Sequence, residues 1–148
     1  STAYDKAVKE LIKIVINHPE FIPKLQKELV AKDFNSDKYR QAIVVIYDFY
    51  DKYDKLKVEK LIEQIDNQEL RNLFLKLSVE NVIGSDLDRI FLDYINRIKE
   101  HQLRMKIENL DQKAKQAEAK EEFEKVDEYF YELSQARQKL ESLRREGN

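Results

Sequence analysis

Apolar positions along the first hundred residues fall at helical spacing. Ala7, Val8, Leu11, Ile12, Val15 and Ile16 recur at gaps of three and four, which gathers them on one buried helical face. Asn17-His18-Pro19-Glu20 ends that helix, because the residue before a proline is steered out of the helical region while proline itself suits a first turn. A second, short helix carries Phe21, Ile22, Leu25 and Leu29, with Pro23 delaying its start. Ser36-Asp37 offers an N-cap to a third, which carries Ala42, Ile43, Ile46, Tyr47, Phe49, Tyr50 and Tyr53. Its β-branched run Ile43-Val44-Val45-Ile46 suits a strand locally, but no hairpin turn or partner strand accompanies it, so the pattern predicts a helix, the central buried one. Val58, Leu61, Ile62 and Ile65 predict a fourth helix. Asp66-Asn67, with Glu69 behind them, caps a fifth carrying Leu70, Leu73, Phe74, Leu77 and Val82.

After Gly84-Ser85-Asp86 the pattern changes. No Gly or Pro interrupts the chain from Asp86 to Lys120, so a single helix of about 50 Å is expected. Its apolar stripe runs Leu87, Phe91, Tyr94, Ile98, jumps to Leu103, and continues through Ile107, Leu110, Ala114 and Ala117. The jump rotates the stripe, so the first part faces the preceding helices and the second a different partner. Val126, Tyr129, Leu133, Ala136, Leu140 and Leu143 form a three-four heptad seam that matches the second part, which predicts a helical hairpin turning near Ala119-Lys120-Glu121-Glu122. The expected fold is all-α: a small bundle over residues 1–99, then a long helix and a C-terminal antiparallel helical hairpin over residues 100–148.

Composition narrows the chemistry. The only glycines are Gly84 and Gly147, too few and too far apart for a glycine-rich phosphate cradle, which excludes nucleotide-fold enzymes. With no Cys and only His18 and His101, thiolate chemistry and nearly every zinc or iron–sulfur arrangement fall away, and neither a metal nor a cofactor is expected. Asp86 and Asp88 imitate a magnesium-binding carboxylate pair, but capping and the helix dipole account for acids at a helix start. His18 reads as a turn residue without a Ser or Cys partner, and His101 as a solvated hinge residue where the stripe shifts.

The formal charge of -2 gives no global field for nucleic acid or anionic membrane, so no direct nucleic-acid or membrane binding is expected. The longest apolar run, Ala42 to Tyr47, is far short of the roughly 20 residues that span a bilayer. Ser1-Thr2-Ala3-Tyr4 has no signal-like leader and no initiator Met, which suggests a cytoplasmic protein and an excised fragment.

Locally the hairpin is polarised. Glu118, Glu121, Glu122, Glu124, Asp127 and Glu128 face only Lys120 and Lys125 near the turn, while Arg137, Lys139, Arg144 and Arg145 oppose Glu141 at the far end. A solvated coiled-coil face with intrahelical pairs such as Glu121 to Lys125 is one reading of these charges. The aromatics favour another. Tyr129-Phe130-Tyr131 cover about 200° of helix surface, more than a two-helix seam can bury. Phe123, Phe130 and Arg137 share one heptad line beside the seam, and aromatic-plus-Arg surface is enriched at protein interfaces. A partner-binding face is expected there.

The order of these features resembles the C-terminal helicase-binding domain of bacterial DnaG-type primase. The resemblance rests on the helix Leu11 to Ile16 closing in His18-Pro19-Glu20-Phe21, and on Asn67-Gln68-Glu69-Leu70-Arg71-Asn72-Leu73. It continues in Leu92-Asp93-Tyr94-Ile95-Asn96-Arg97-Ile98-Lys99 leading into a charged arm, and in the return helix Glu132-Leu133-Ser134-Gln135-Ala136-Arg137-Gln138-Lys139-Leu140. Where relatives often carry a Gly-Asp pair at the hairpin turn, this chain has Glu121-Glu122. The resemblance implies a non-catalytic domain of a DNA primase that docks on the N-terminal domains of the hexameric replicative DnaB-type helicase, recruits primase to the fork and modulates the helicase. It further implies that the hairpin dominates attachment while the bundle contributes to stimulation. The motif does not map individual contacts; Phe123, Asp127, Phe130, Arg137, Leu140 and Arg144 on the hairpin are the expected ones. Two alternatives stay open: a coiled-coil adaptor that self-associates through its seams, and the structurally related N-terminal domain of the helicase itself.

Overall fold

The computed structural model describes residues 2–82 and 84–146, and every regular element among them is helical. In chain order the helices are α1 (Ala3–Asn17), α2 (Ile22–Glu28), α3 (Asp37–Tyr53), α4 (Val58–Glu63), α5 (Gln68–Val79), α6 (Leu87–Ala119) and α7 (Phe123–Glu146), with short 3-10 turns at Pro19–Phe21 and Ala31–Asp33. The chain divides into two compact units, residues 1–98 and 99–148.

In the first unit, α1 begins four residues before its apolar face. Thr2 Oγ1 accepts from the Asp5 amide and Asp5 returns a bond to the Thr2 amide, a capping box that satisfies two orphan N–H groups. Leu11 through Ile16 are all buried in succession, so α1 is covered on every side and is the centre of the bundle. This corrects the expectation that α3 is central. On α3 only Ala42, Ile43, Ile46 and Phe49 are buried, and Val44 is exposed, so its β-branched run is covered on one side only. The cap of α5 also differs in detail: Asn67 Oδ1 accepts from the Leu70 amide, which puts Glu69 one turn position too early to close a box, and the helix ends at Val79, before Val82. Gly84 adopts φ +126, and a side chain there would fall on Ile90 Cδ1, so the break before α6 needs a glycine. Asp86 then caps α6 through the Arg89 amide at 3.2 Å. Phe91, Ile95 and Ile98 bury the first part of α6 in the same core; Ile95, rather than Tyr94, completes the stripe.

Two polar joints tie α1 to the end of α5. The Asn17 side-chain amide donates to the Leu77 carbonyl at 3.2 Å and to the Lys13 carbonyl at 2.9 Å, which satisfies a helix-end carbonyl. Lys13, the one buried charged residue among those described, places its ammonium 3.0 Å from both Glu10 and Glu80. Burial disfavours the Lys13 charge, but the hydrogen bonds and charges of Glu10 and Glu80 outweigh it and raise its pKa, while the Lys13 bond holds the Glu80 carboxyl below the usual range. The depressed Glu80 contributes stability present above its unfolded pKa and lost as pH falls through its folded value; the raised Lys13 contributes stability present below its unfolded pKa and lost as pH rises through its folded value. Lys13→Ala should therefore cost about 2 kcal/mol near neutral pH, from the lost pairing and stem packing. Urea titrations should show the difference from wild type narrowing at about pH 3, where carboxylates are protonated.

Candidate functional site: the aromatic face of the helical hairpin

The second unit is built from α6 beyond Ile98 and from α7. Leu110, Ala114 and Ala117 of α6 and Val126, Leu133, Ala136 and Leu140 of α7 are buried in its seam, with Tyr129 and Leu143 half-buried at its edges. Small alanines on both sides let the helices approach closely. Arg144 Nε lies 3.1 Å from Glu100 and Arg137 lies 3.6 Å from Asp111, so residues later in α7 meet residues earlier in α6, and the helices are antiparallel. Glu100 also holds Arg104 at 2.8 Å, so one carboxylate receives two guanidinium groups.

The turn falls where the sequence places it, at Lys120–Glu122. The Glu122 amide donates to the Ala117 carbonyl (2.9 Å) and the Glu121 amide to the Glu118 carbonyl (3.0 Å), the paired bonds of a Schellman ending, and Glu121 stands in the left-handed region at φ 59. That conformation costs a residue with a side chain roughly 1–2 kcal/mol and costs glycine little. Glu121→Gly should stabilise the hairpin by about 1 kcal/mol net of the extra freedom of glycine when unfolded, read as a higher thermal midpoint. Loss of stability on that substitution would contradict the turn geometry.

Outside the seam, α7 carries three exposed aromatic rings: Phe123 at 66%, Phe130 at 49% and Tyr131 at 68% exposure. Phe123, Asp127 and Phe130 follow at i, i+4 and i+7, so they lie on one stripe about 10 Å long, with the acidic side chain between two rings. Arg137 and Arg144 are exposed farther along the helix, each engaged with an α6 carboxylate. Leu140 does not join them: it is 8% exposed and forms part of the seam. Tyr131 is the residue that the expected contact set passes over, although the aromatic triplet already announces it. In the first unit Leu75 and Val79 of α5 are also exposed; both fall off the Leu70-Leu73-Phe74-Leu77 face, which is how the sequence marks them.

Among the described residues no three His, Asp or Glu side chains gather as a metal site would need, and no helix is long and apolar enough to cross a membrane. Exposed aromatic rings and Arg are the composition enriched at protein interfaces, and they stand here on an all-helical fold. A family model described as DNA primase DnaG DnaB-binding matches residues 8–128, and the chain belongs to that family. It is 24% identical over 116 residues to the DNA primase of Staphylococcus epidermidis, covering 78% of this chain and 19% of that protein. It is 22% identical over 113 residues to the DNA primase of Staphylococcus aureus, covering 76% of this chain and 18% of that protein. The chain thus spans about a fifth of the length of the relatives it matches.

Proposed function

We propose that this chain is the non-catalytic module through which a cytoplasmic primase attaches to the hexameric replicative helicase DnaB, bringing primer synthesis to the fork and modulating the helicase. The observation that carries this reading is the exposed stripe Phe123-Asp127-Phe130, with Tyr131 beside it, in a chain whose family is described by its binding to DnaB. Exposed rings on a rigid helix bury large apolar area at little entropic cost, and such residues supply most of the energy at protein interfaces. Arg137 and Arg144 extend the surface with charged donors, while Leu140 supports it from the seam. The hairpin unit, residues 99–148, is assigned attachment, and the bundle, residues 1–98, the influence on helicase activity. The fragment is assigned no nucleic-acid contact, because its basic and acidic residues nearly balance.

Amide hydrogen exchange of the chain with and without the cognate helicase tests this reading. Binding through the hairpin slows exchange in α7 around Phe123–Arg137; protection confined to residues 1–98, or none at saturating helicase, contradicts it.

A further inference from the structure

The end of α3 and the start of α4 enclose a groove that the hairpin reading does not use. Its floor is the edge of the buried Phe49 ring and the exposed ring of Tyr53, its rim is Lys55, Lys57 and Lys60 with Gln64, and its volume is about 250 Å³. No carboxylate lines it. The ammonium groups of Lys55 and Lys57 make no ion pair among the described residues, and Lys60 has only Glu63 at 3.9 Å, with both side chains largely in solvent. A fourth cation, Lys52, lies 5.3 Å from the centre of the Tyr53 ring. The Tyr53 hydroxyl accepts from the Gln64 side-chain amide at 3.3 Å, and that bond, with one from Lys52, holds its pKa below the usual phenol value. Phe49, Tyr53 and Gln64 also line a second groove of about 340 Å³ with Val45, Leu61, Ile65 and Leu70, where Asp48 and Asp66 stand beside Lys52.

We propose that this trough is a docking site for an acidic peptide segment with an apolar side chain, the carboxylates meeting Lys55, Lys57 and Lys60 and the apolar side chain lying on Phe49 and Tyr53. Charge complementarity selects the occupant. Unpaired ammonium groups around an apolar floor suit anionic side chains beside an apolar anchor, the pattern of acidic-motif recognition. A nucleic-acid strand fits less well, because its phosphates need cations along a continuous track and its bases need successive aromatic platforms, whereas here Lys55, Lys57 and Lys60 rim one end and beyond them Lys52 shares the lining with Asp48 and Asp66.

Fluorescence anisotropy on the full chain tests the proposal with three labelled probes: a ten-residue peptide of alternating Glu and Leu, the same peptide with Gln for Glu, and oligothymidylate of equal charge. The acidic peptide should bind saturably, more weakly as salt rises. The Gln peptide should not bind, and Lys55→Gln with Lys57→Gln should weaken the acidic peptide by about tenfold, while Lys115→Gln on α6 should leave it unchanged. The side chains of Lys55 and Lys57 hold nothing in the fold, and an unchanged thermal midpoint checks this. Equal binding of both peptides, indifference to the double substitution, or binding of oligothymidylate in preference to the peptide would overturn the proposal.

Discussion

A chain carrying Phe123→Ala and Phe130→Ala together should fold as the wild type does and lose about 100-fold or more of its affinity for the helicase. The expectation follows from where the two rings are. Phe123 is two-thirds and Phe130 half exposed in the free protein, so their removal opens no closed cavity, and the thermal midpoint should move little. In a complex each ring is an anchor worth about 2 kcal/mol when truncated, and every 1.4 kcal/mol is tenfold in affinity. Asp127 stands between them and should matter less, as a charge that guides approach more than it holds the complex. Titration calorimetry with the cognate helicase, beside thermal unfolding of the free chain, separates affinity from fold. Wild-type affinity in the double variant would move the interface off this stripe.

The same residue type has the opposite consequence at position 91. Phe91 is fully buried, and its ring centre lies 4.7 Å from that of Phe21, which joins the first part of α6 to the 3-10 turn after α1. Phe91→Ala removes a large side chain from a packed core and should cost about 3–5 kcal/mol, the transfer free energy of the ring plus that of the cavity left behind. A domain of this size is stable by only about 5–15 kcal/mol, so the loss is a large fraction of the total. Urea unfolding followed by circular dichroism should show a markedly lower midpoint at unchanged slope. A loss below about 1 kcal/mol would mean that the core around Phe21 and Phe91 is not packed as described.

Regular apolar spacing makes the helices and the hairpin legible in the sequence, because burial on one face imposes its period on the residues. The turn at Lys120–Glu122 is legible for the same reason, as the place where one stripe ends and its partner begins. Interaction with the main chain is harder to read. α1 starts at Ala3 because Thr2 and Asp5 cap it, four residues ahead of the first fully buried position at Ala7, and Glu121 takes a left-handed conformation that its side chain does not announce. Which helix is central is a matter of how many neighbours cover it, which is why the continuous burial of Leu11 through Ile16 displaces α3 from that role.

The candidate interface divides in the same way. Three successive aromatics on a helix cannot all enter one seam, so exposed rings on α7 follow from the sequence, whereas the burial of Leu140 follows from its heptad position and removes it from the surface. The lysine-rimmed groove is invisible in one dimension. Asp51, Lys52, Asp54, Lys55, Lys57 and Glu59 intermix along the chain, and only the fold sorts the lysines of the rim from the acids.

Attachment to the replicative helicase is open to a decisive test by size-exclusion chromatography with light scattering on the chain mixed with its cognate helicase. A stable complex heavier than the helicase alone should form, diminished by Phe130→Ala and Arg137→Ala in a variant whose own elution and thermal midpoint match the wild type. Two separate peaks at the masses of the free proteins, with both folded and at concentrations above about 10 μM, where about 7 kcal/mol of binding free energy already forms a complex, would contradict it.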